Sequence, residues 1–205
     1  MLRTVLCFGD SNTYGSIPGD GGRFPPEIRW PGVLAQELGS GWRVVEDGLP
    51  GRTTVYADPL SPQRLTGADS LPPCLASHTP LDAVAIFLGT NDLKSRFAAG
   101  APEIARGIGL LAEIALASGS GPDGSAPRVL VLGLPRLGPL LPEGFEGAGE
   151  KVELLPALLE QVATEAGAEL LQLAGLVSCS PLDGIHLEGE GHADVGVAVA
   201  RRLSS

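Results

Sequence analysis

The chain opens Leu2-Arg-Thr-Val-Leu-Cys-Phe-Gly-Asp-Ser11, a run of strand-forming residues halted at Gly9-Asp10. From Val5 to Phe8 it is apolar at every position, which is how a strand reads when both of its faces are covered. Similar runs recur at Trp42–Glu46, closed by Asp47-Gly48, and at Leu81–Leu88, followed by Gly89. Arg128–Leu132 is a fourth, ended by Gly133 and Pro135, and Ala168–Leu173 a fifth and weaker one. Helical signals lie between them. Arg29–Leu38 has Pro31 in its first turn and Gly39 beyond its end. Glu103–Ala117 repeats apolar residues at Ile104, Ile108, Leu111 and Ala115. Lys151–Ala166 carries Pro156 near its first turns, and Gly189–Leu203 is apolar-rich. This alternation predicts an α/β protein, a three-layer α/β/α sandwich on a parallel sheet, with 1–205 as one domain.

Composition narrows the function classes. With 43% hydrophobic and 19% charged residues among 205, the chain is too apolar and too lightly charged to be disordered. Its 14 Lys plus Arg against 24 Asp plus Glu leave a net charge of −10, which disfavours nucleic acid and anionic membrane as partners. No signal peptide or membrane span is read, so a cytoplasmic location is expected. Cys7, Cys74 and Cys179 have no CxxC spacing and suggest neither a disulfide framework nor a metal site. Ser118–Pro127 reads as a flexible loop. The Pro-, Gly- and Leu-rich stretch 135–149 is long for an α/β connection, so a functional or oligomer-forming excursion is expected there.

Open parallel sheets bind ligands beyond the carboxyl ends of their strands, near the point where strand order reverses. Four such ends carry polar groups suited to acyl transfer: Gly9-Asp10-Ser11, Gly48-Leu-Pro50-Gly51, Gly89-Thr90-Asn91-Asp92 and Asp183-Gly-Ile185-His186. Ser11 is a hydroxyl at a strand-to-helix turn and needs a base to become a nucleophile. His186 is the candidate base, and Asp183 lies three residues before it, close enough to orient the imidazole. The backbone N–H groups of Ser11 and Gly51 and the amide of Asn91 are the candidate oxyanion donors.

These blocks, in this order, resemble the SGNH (GDSL-type) hydrolases. Leu6–Ser11, Glu46–Thr54, Leu71–His78 and Leu88–Asp92 are similar to the bacterial arylesterase/acyltransferase (perhydrolase) branch. The likeness runs from the start of the chain to about residue 94 and resumes near Asp183. It implies a flavodoxin-like five-stranded sheet ordered 2-1-3-4-5, with Ser11, His186 and Asp183 as triad and Ser11, Gly51 and Asn91 as oxyanion hole. It also implies a small-molecule ester substrate, no metal or other cofactor, an acyl-enzyme open to alcohols or hydrogen peroxide, and homo-oligomers, octamers included. Tyr14 stands where the branch often has tryptophan and Pro50 where serine is common, and both flank the expected pocket.

Asn12, Thr90 and Ile185 adjoin these residues and are read, with Tyr14 and Pro50, as the substrate slot. Phe24 and Trp30 are read beside Tyr14 as one wall, or else as core. Leu137, Leu140, Leu141 and Phe145 cover the mouth or form a subunit contact. Asp10 and Asp92 read as acceptors of backbone N–H groups that hold their loops. His78 reads as a helix C-terminal residue and His192 as a surface or helix-start residue. Low aromatic content (4%) favours short acyl chains. A carbohydrate acetylesterase or thioesterase would carry the same blocks. The rival outside this chemistry is a non-enzymatic flavodoxin-like anion binder, which would leave Asp183 and His186 without a role.

Overall fold

Five strands lie side by side in the computed structural model, which describes residues 2–61 and 66–205. They are β1 (Arg3–Gly9), β2 (Trp42–Gly48), β3 (Ala83–Phe87), β4 (Arg128–Leu132) and β5 (Glu169–Leu171). All pair in parallel, in the order β2-β1-β3-β4-β5. This is the expected 2-1-3-4-5 sheet. Side chains alternate across it, so Leu6 and Phe8 pack on one face while Val5 and Cys7 pack on the other. Continuous burial of both sets explains the unbroken apolar runs.

The helices supply the outer layers. On the Val5 face, α2 (Trp30–Leu38) and α6 (Gly189–Ser204) bring Trp30, Leu34, Val195 and Val199 against the sheet. On the Leu6 face, α3 (Gly67–His78), α4 (Ala101–Ala117) and α5 (Ala148–Ala166) contribute Leu71, Leu75, Ile104, Ile108, Leu155 and Leu159. A four-residue helical turn, α1 (Ser11–Tyr14), follows the carboxyl end of β1. Truncating a fully buried Leu such as Leu34 in this kind of core costs about 2–5 kcal/mol.

The structure revises the sequence reading in three places. The expected strand Leu81–Leu88 is paired only over Ala83–Phe87, and Ala168–Leu173 only over Glu169–Leu171, an edge strand. Periodicity does not mark helix α3, because Pro72 and Pro73 interrupt the pattern. Its start is nevertheless capped: Thr66 Oγ1 accepts the Asp69 N–H at 3.1 Å and donates to Asp69 Oδ2 at 2.6 Å. His78 is its last residue, as expected of a C-terminal position.

Sheet order also places the crevice. The chain leaves β1 for the edge strand β2 and then passes β1 again to start β3. Connections from the carboxyl ends of β1 and β3 therefore depart toward opposite faces, and a cleft opens between them. Among the described residues no helix is long and apolar enough to cross a membrane.

Candidate active site

Asp10 is fully buried at the end of β1, and its Oδ1 accepts the Asn12 N–H at 2.9 Å. That cap starts α1 at once, so Ser11 stands at the sheet edge with its hydroxyl in the cleft. On the far side of the chain, Asp183 makes an Asx-type turn. Its Oδ1 accepts the backbone N–H groups of Ile185 (3.2 Å) and His186 (3.1 Å). Gly184, with φ of +74°, completes the turn. A Cβ there would lie 2.0 Å from the Leu140 carbonyl oxygen, so only glycine fits.

The turn aims the imidazole. His186 Nδ1 lies 2.8 Å from Asp183 Oδ2, and His186 Nε2 lies 2.9 Å from Ser11 Oγ. Burial pushes the Asp183 pKa up, but the His186 ring and the two backbone donors outweigh it and hold it below the usual carboxylate range. Asp183 Oδ2 also accepts the Gly19 N–H at 3.0 Å, which ties the 16–23 loop to the same carboxylate.

Asn12 joins the two halves. Its Nδ2 donates to the Ile185 carbonyl at 2.9 Å, and its Oδ1 accepts the Leu187 N–H at 3.0 Å. Read from sequence as a slot residue, Asn12 is instead buried behind the cleft, where its amide matches one donor and one acceptor of the 185–187 strap. Thr90 is likewise buried away from the cleft, since it sits at the base of the turn that presents Asn91. Tyr14, Pro50 and Ile185 do line it. Trp30 belongs to the core with its Nε1 on Thr13 Oγ1 (3.3 Å), and Phe24 packs edge-on to His192. Neither is a wall of the cleft.

The opposite rim carries Gly51 and Asn91. Gly51 adopts φ of +84°, a left-handed conformation that favours glycine. The Ser11 and Gly51 N–H groups donate to no other described residue. Sequence reasoning missed the residue that supports them, Arg52. Its Nη1 donates to the Gly9 and Asp47 carbonyls, both at 2.9 Å, and its Nη2 to Asp47 Oδ1 at 2.7 Å. The guanidinium lies 4.1 Å over the Phe8 ring, and the Arg52 carbonyl accepts Asn91 Nδ2 at 3.1 Å. One buried side chain thereby locks the Gly51 loop to the ends of β1 and β2. Its adjacency to Gly51 was the available signal.

Asp10 and Asp92 hold loops, as read from the sequence. Thr54 donates to Asp92 through its backbone N–H (3.0 and 3.1 Å) and through its hydroxyl. Burial pushes the pKa of each carboxyl up to about 6, while the Asn12 N–H at Asp10 and the Thr54 donors at Asp92 pull the other way.

The cleft measures about 620 Å³. Ser16 and Ile17 contribute from the loop after α1, and Lys94, Pro142 and Phe145 from the other side. Lys94, three residues after Asn91, was not read as a site residue. In the 135–149 stretch Phe145 is buried against the cleft, whereas Leu140 is 65% exposed. Gly138 N–H donates to the Gly184 carbonyl at 2.9 Å, which fastens this stretch to the Asp183–His186 turn.

His192 lies in the first turn of α6, as one reading of the sequence expects, but not on the surface, because α6 packs on α2 and buries the ring completely. Its Nδ1 accepts the Trp30 N–H at 3.3 Å, and its Nε2 has no partner among the described residues. Burial, helped by the charges of His186 and Arg29, lowers its pKa from 6.5 to about 4. Since the native state keeps it neutral while the unfolded chain is protonated below 6.5, acid favours unfolding through this group. The loss begins below pH 6.5 and reaches about 3 kcal/mol near pH 4. His192→Gln lacks that contribution, so urea unfolding at pH 7 and pH 4 should show a gap about 3 kcal/mol smaller in the variant. An equal gap in both proteins would refute this account of the buried ring.

The model of the GDSL-like Lipase/Acylhydrolase family matches residues 7–193. Among solved structures, the aryl esterase of M. smegmatis is 40% identical, with 98% of each chain covered and a TM-score of 0.92. A carbohydrate acetylesterase from Sinorhizobium meliloti is 41% identical, again over 98% of both chains, with a TM-score of 0.93. Curated proteins return no match. The family model spans nearly the whole chain and solved esterases superpose along their full lengths, so this chain belongs to the GDSL-like lipase/acylhydrolase (SGNH) family of carboxylic ester hydrolases.

Proposed function

We propose that the chain hydrolyses small esters through an acyl-enzyme on Ser11. Ser11 Oγ adds to the ester carbonyl carbon while its proton passes to His186 Nε2. The carbonyl π electrons move to oxygen, and that oxyanion is held by the N–H groups of Ser11 and Gly51 and by Asn91 Nδ2. The intermediate collapses, the C–O bond to the alcohol breaks, and the leaving oxygen takes the proton from His186. Water then adds to the acyl-enzyme by the same steps in reverse roles, releasing the acid. An alcohol or hydrogen peroxide in place of water gives transesterification or a peracid. Asp183 stays ionised throughout and stabilises the imidazolium.

The single observation that supports this reading is the unbroken chain Asp183 Oδ2–His186–Ser11 Oγ, with links of 2.8 and 2.9 Å at the rim of the cleft. Release of p-nitrophenol from p-nitrophenyl acetate, with fluorophosphonate labelling of Ser11, tests it. Labelling that persists in Ser11→Ala would overturn the assignment. The resemblance to an aryl esterase supports aryl acetates, and that to a carbohydrate acetylesterase supports acetylated sugars as a second reading. Acetate release from a peracetylated disaccharide separates the two.

Asn12 acts in this proposal by positioning. Asn12→Ala leaves the Ile185 carbonyl and Leu187 N–H unpaired in the interior and frees the strap that carries His186. The expected result is a loss of about 2–4 kcal/mol in urea unfolding and a kcat lowered about 100-fold. An unchanged kcat would show that the strap is held by other contacts.

A further inference from the structure

The walls of the cleft are unequal in charge. Asp183, the one carboxylate lining it among the described residues, is already saturated by the His186 ring and the N–H groups of Gly19, Ile185 and His186. Lys94 is the one Lys or Arg lining the cleft among the described residues, and its ammonium is not saturated. Its nearest carboxylate oxygen is Asp58 Oδ2 at 3.8 Å, beyond hydrogen-bonding distance. Asp58 is shared, because Arg96 Nη1 lies 3.4 Å from its other oxygen. The three side chains therefore carry a net positive charge. Lys94 Nζ donates a hydrogen bond to no other described residue, although its side chain is only 15% exposed. Burial, with the Arg96 charge, lowers its pKa, although Asp58 and the more distant Asp10 and Asp92 pull the other way, so the carboxylates around it offset its lost water only in part.

The backbone beneath Lys94 is also fixed. The Ser95 N–H donates to the Gly144 carbonyl at 2.7 Å, Ser95 Oγ to Glu146 at 2.7 Å, and Lys151 Nζ to the Leu93 carbonyl at 3.4 Å. A largely buried cation with unspent donors, on a braced segment lining the same cleft as the Ser11 hydroxyl, is a site for an anion. The cleft has room for more than an acetyl group, at about 620 Å³.

We infer that Lys94 recognises a carboxylate on the substrate, so that esters bearing an acidic group a few bonds from the scissile carbonyl are preferred here. This rests on the ester-hydrolase reading and names a substrate class for the same site. The attraction comes from one charge-assisted contact, so the expected preference is about tenfold in kcat/KM.

Two matched pairs test it, one for each side of the ester. The p-nitrophenyl monoester of glutaric acid is compared with p-nitrophenyl valerate, and 4-acetoxybenzoate with phenyl acetate. In at least one pair the ratio of kcat/KM, acidic over neutral, is expected to fall about tenfold in Lys94→Met and to be kept in Lys94→Arg. Asp58→Asn removes the competing carboxylate and is expected to raise the same ratio, which decides the matter should Lys94→Met fail to fold. Ratios unmoved in both pairs by Lys94→Met, or by Asp58→Asn in its place, would overturn the inference while leaving the hydrolase reading intact. Equal loss on acidic and neutral esters would do the same, assigning Lys94 to the field around Asp10 and Asp92. Wild-type protein that hydrolyses none of the four esters would sink the hydrolase reading and this inference together.

Discussion

Replacing Ser11 by alanine is expected to lower kcat/KM for p-nitrophenyl acetate by about 10⁴-fold or more while leaving the unfolding transition almost unmoved. The hydroxyl removed is the atom 2.9 Å from His186 Nε2, and alanine is smaller than the residue it replaces. Among the described residues no other hydroxyl or thiol lies within hydrogen-bonding distance of His186 Nε2. Cys74 is remote and buried, and its thiol is pushed up to about 12 by burial and by the Asp47 carboxylate beside it. Cys179 is likewise raised to about 12, chiefly by burial. Activity within tenfold of wild type would mean that a nucleophile other than Ser11 opens the ester.

Asp183→Asn is the second large effect, about 10³–10⁴-fold in kcat. The substitution keeps the shape of the turn but replaces an acceptor with an amide that can donate to Nδ1. The imidazole then favours the tautomer protonated on Nε2, which leaves Ser11 Oγ–H without a base. A KM close to wild type with a collapsed kcat is the expected signature, because the carboxylate orients the base and does not hold the ester. The turn also titrates. Hydrogen bonds hold the folded Asp183 pKa below its unfolded value, so its stabilisation is present above that value and lost as pH falls through the folded one. The variant should shed this part of acid sensitivity, which urea midpoints below pH 5 would reveal. A kcat within tenfold of wild type would remove Asp183 from the proposed relay.

Local chemistry explains why so much of the site was legible. Ser11, Gly51, Asn91 and the Asp183–His186 pair each follow a strand or turn whose punctuation is written in Gly and Asp, and all line one cleft. What misled the reading was packing. Asn12 and Thr90 are neighbours of reactive residues along the chain yet face the interior, because successive side chains of a turn point in different directions. His192 does lie in the first turn of α6, but its burial could not be read locally because it depends on α2 lying over α6. Helix α3 was hidden by Pro72-Pro73, whose cost its capping interactions and buried Leu71 and Leu75 offset. Lys94 cannot be ranked above Lys151 or the arginines without knowing which wall it joins.

The amino-acid order alone settled the layered α/β architecture and the residue types available for acyl transfer, since apolar runs and glycine-bounded turns act over a few positions. Folding in space decided which of them meet. The 175-residue gap between Ser11 and His186 is closed by sheet order and by the Asn12 amide, and Arg52 sets the Gly51 loop across β1 and β2. Those contacts join segments remote in the chain, and buried polar atoms accept only partners that match them. No local pattern records such matches.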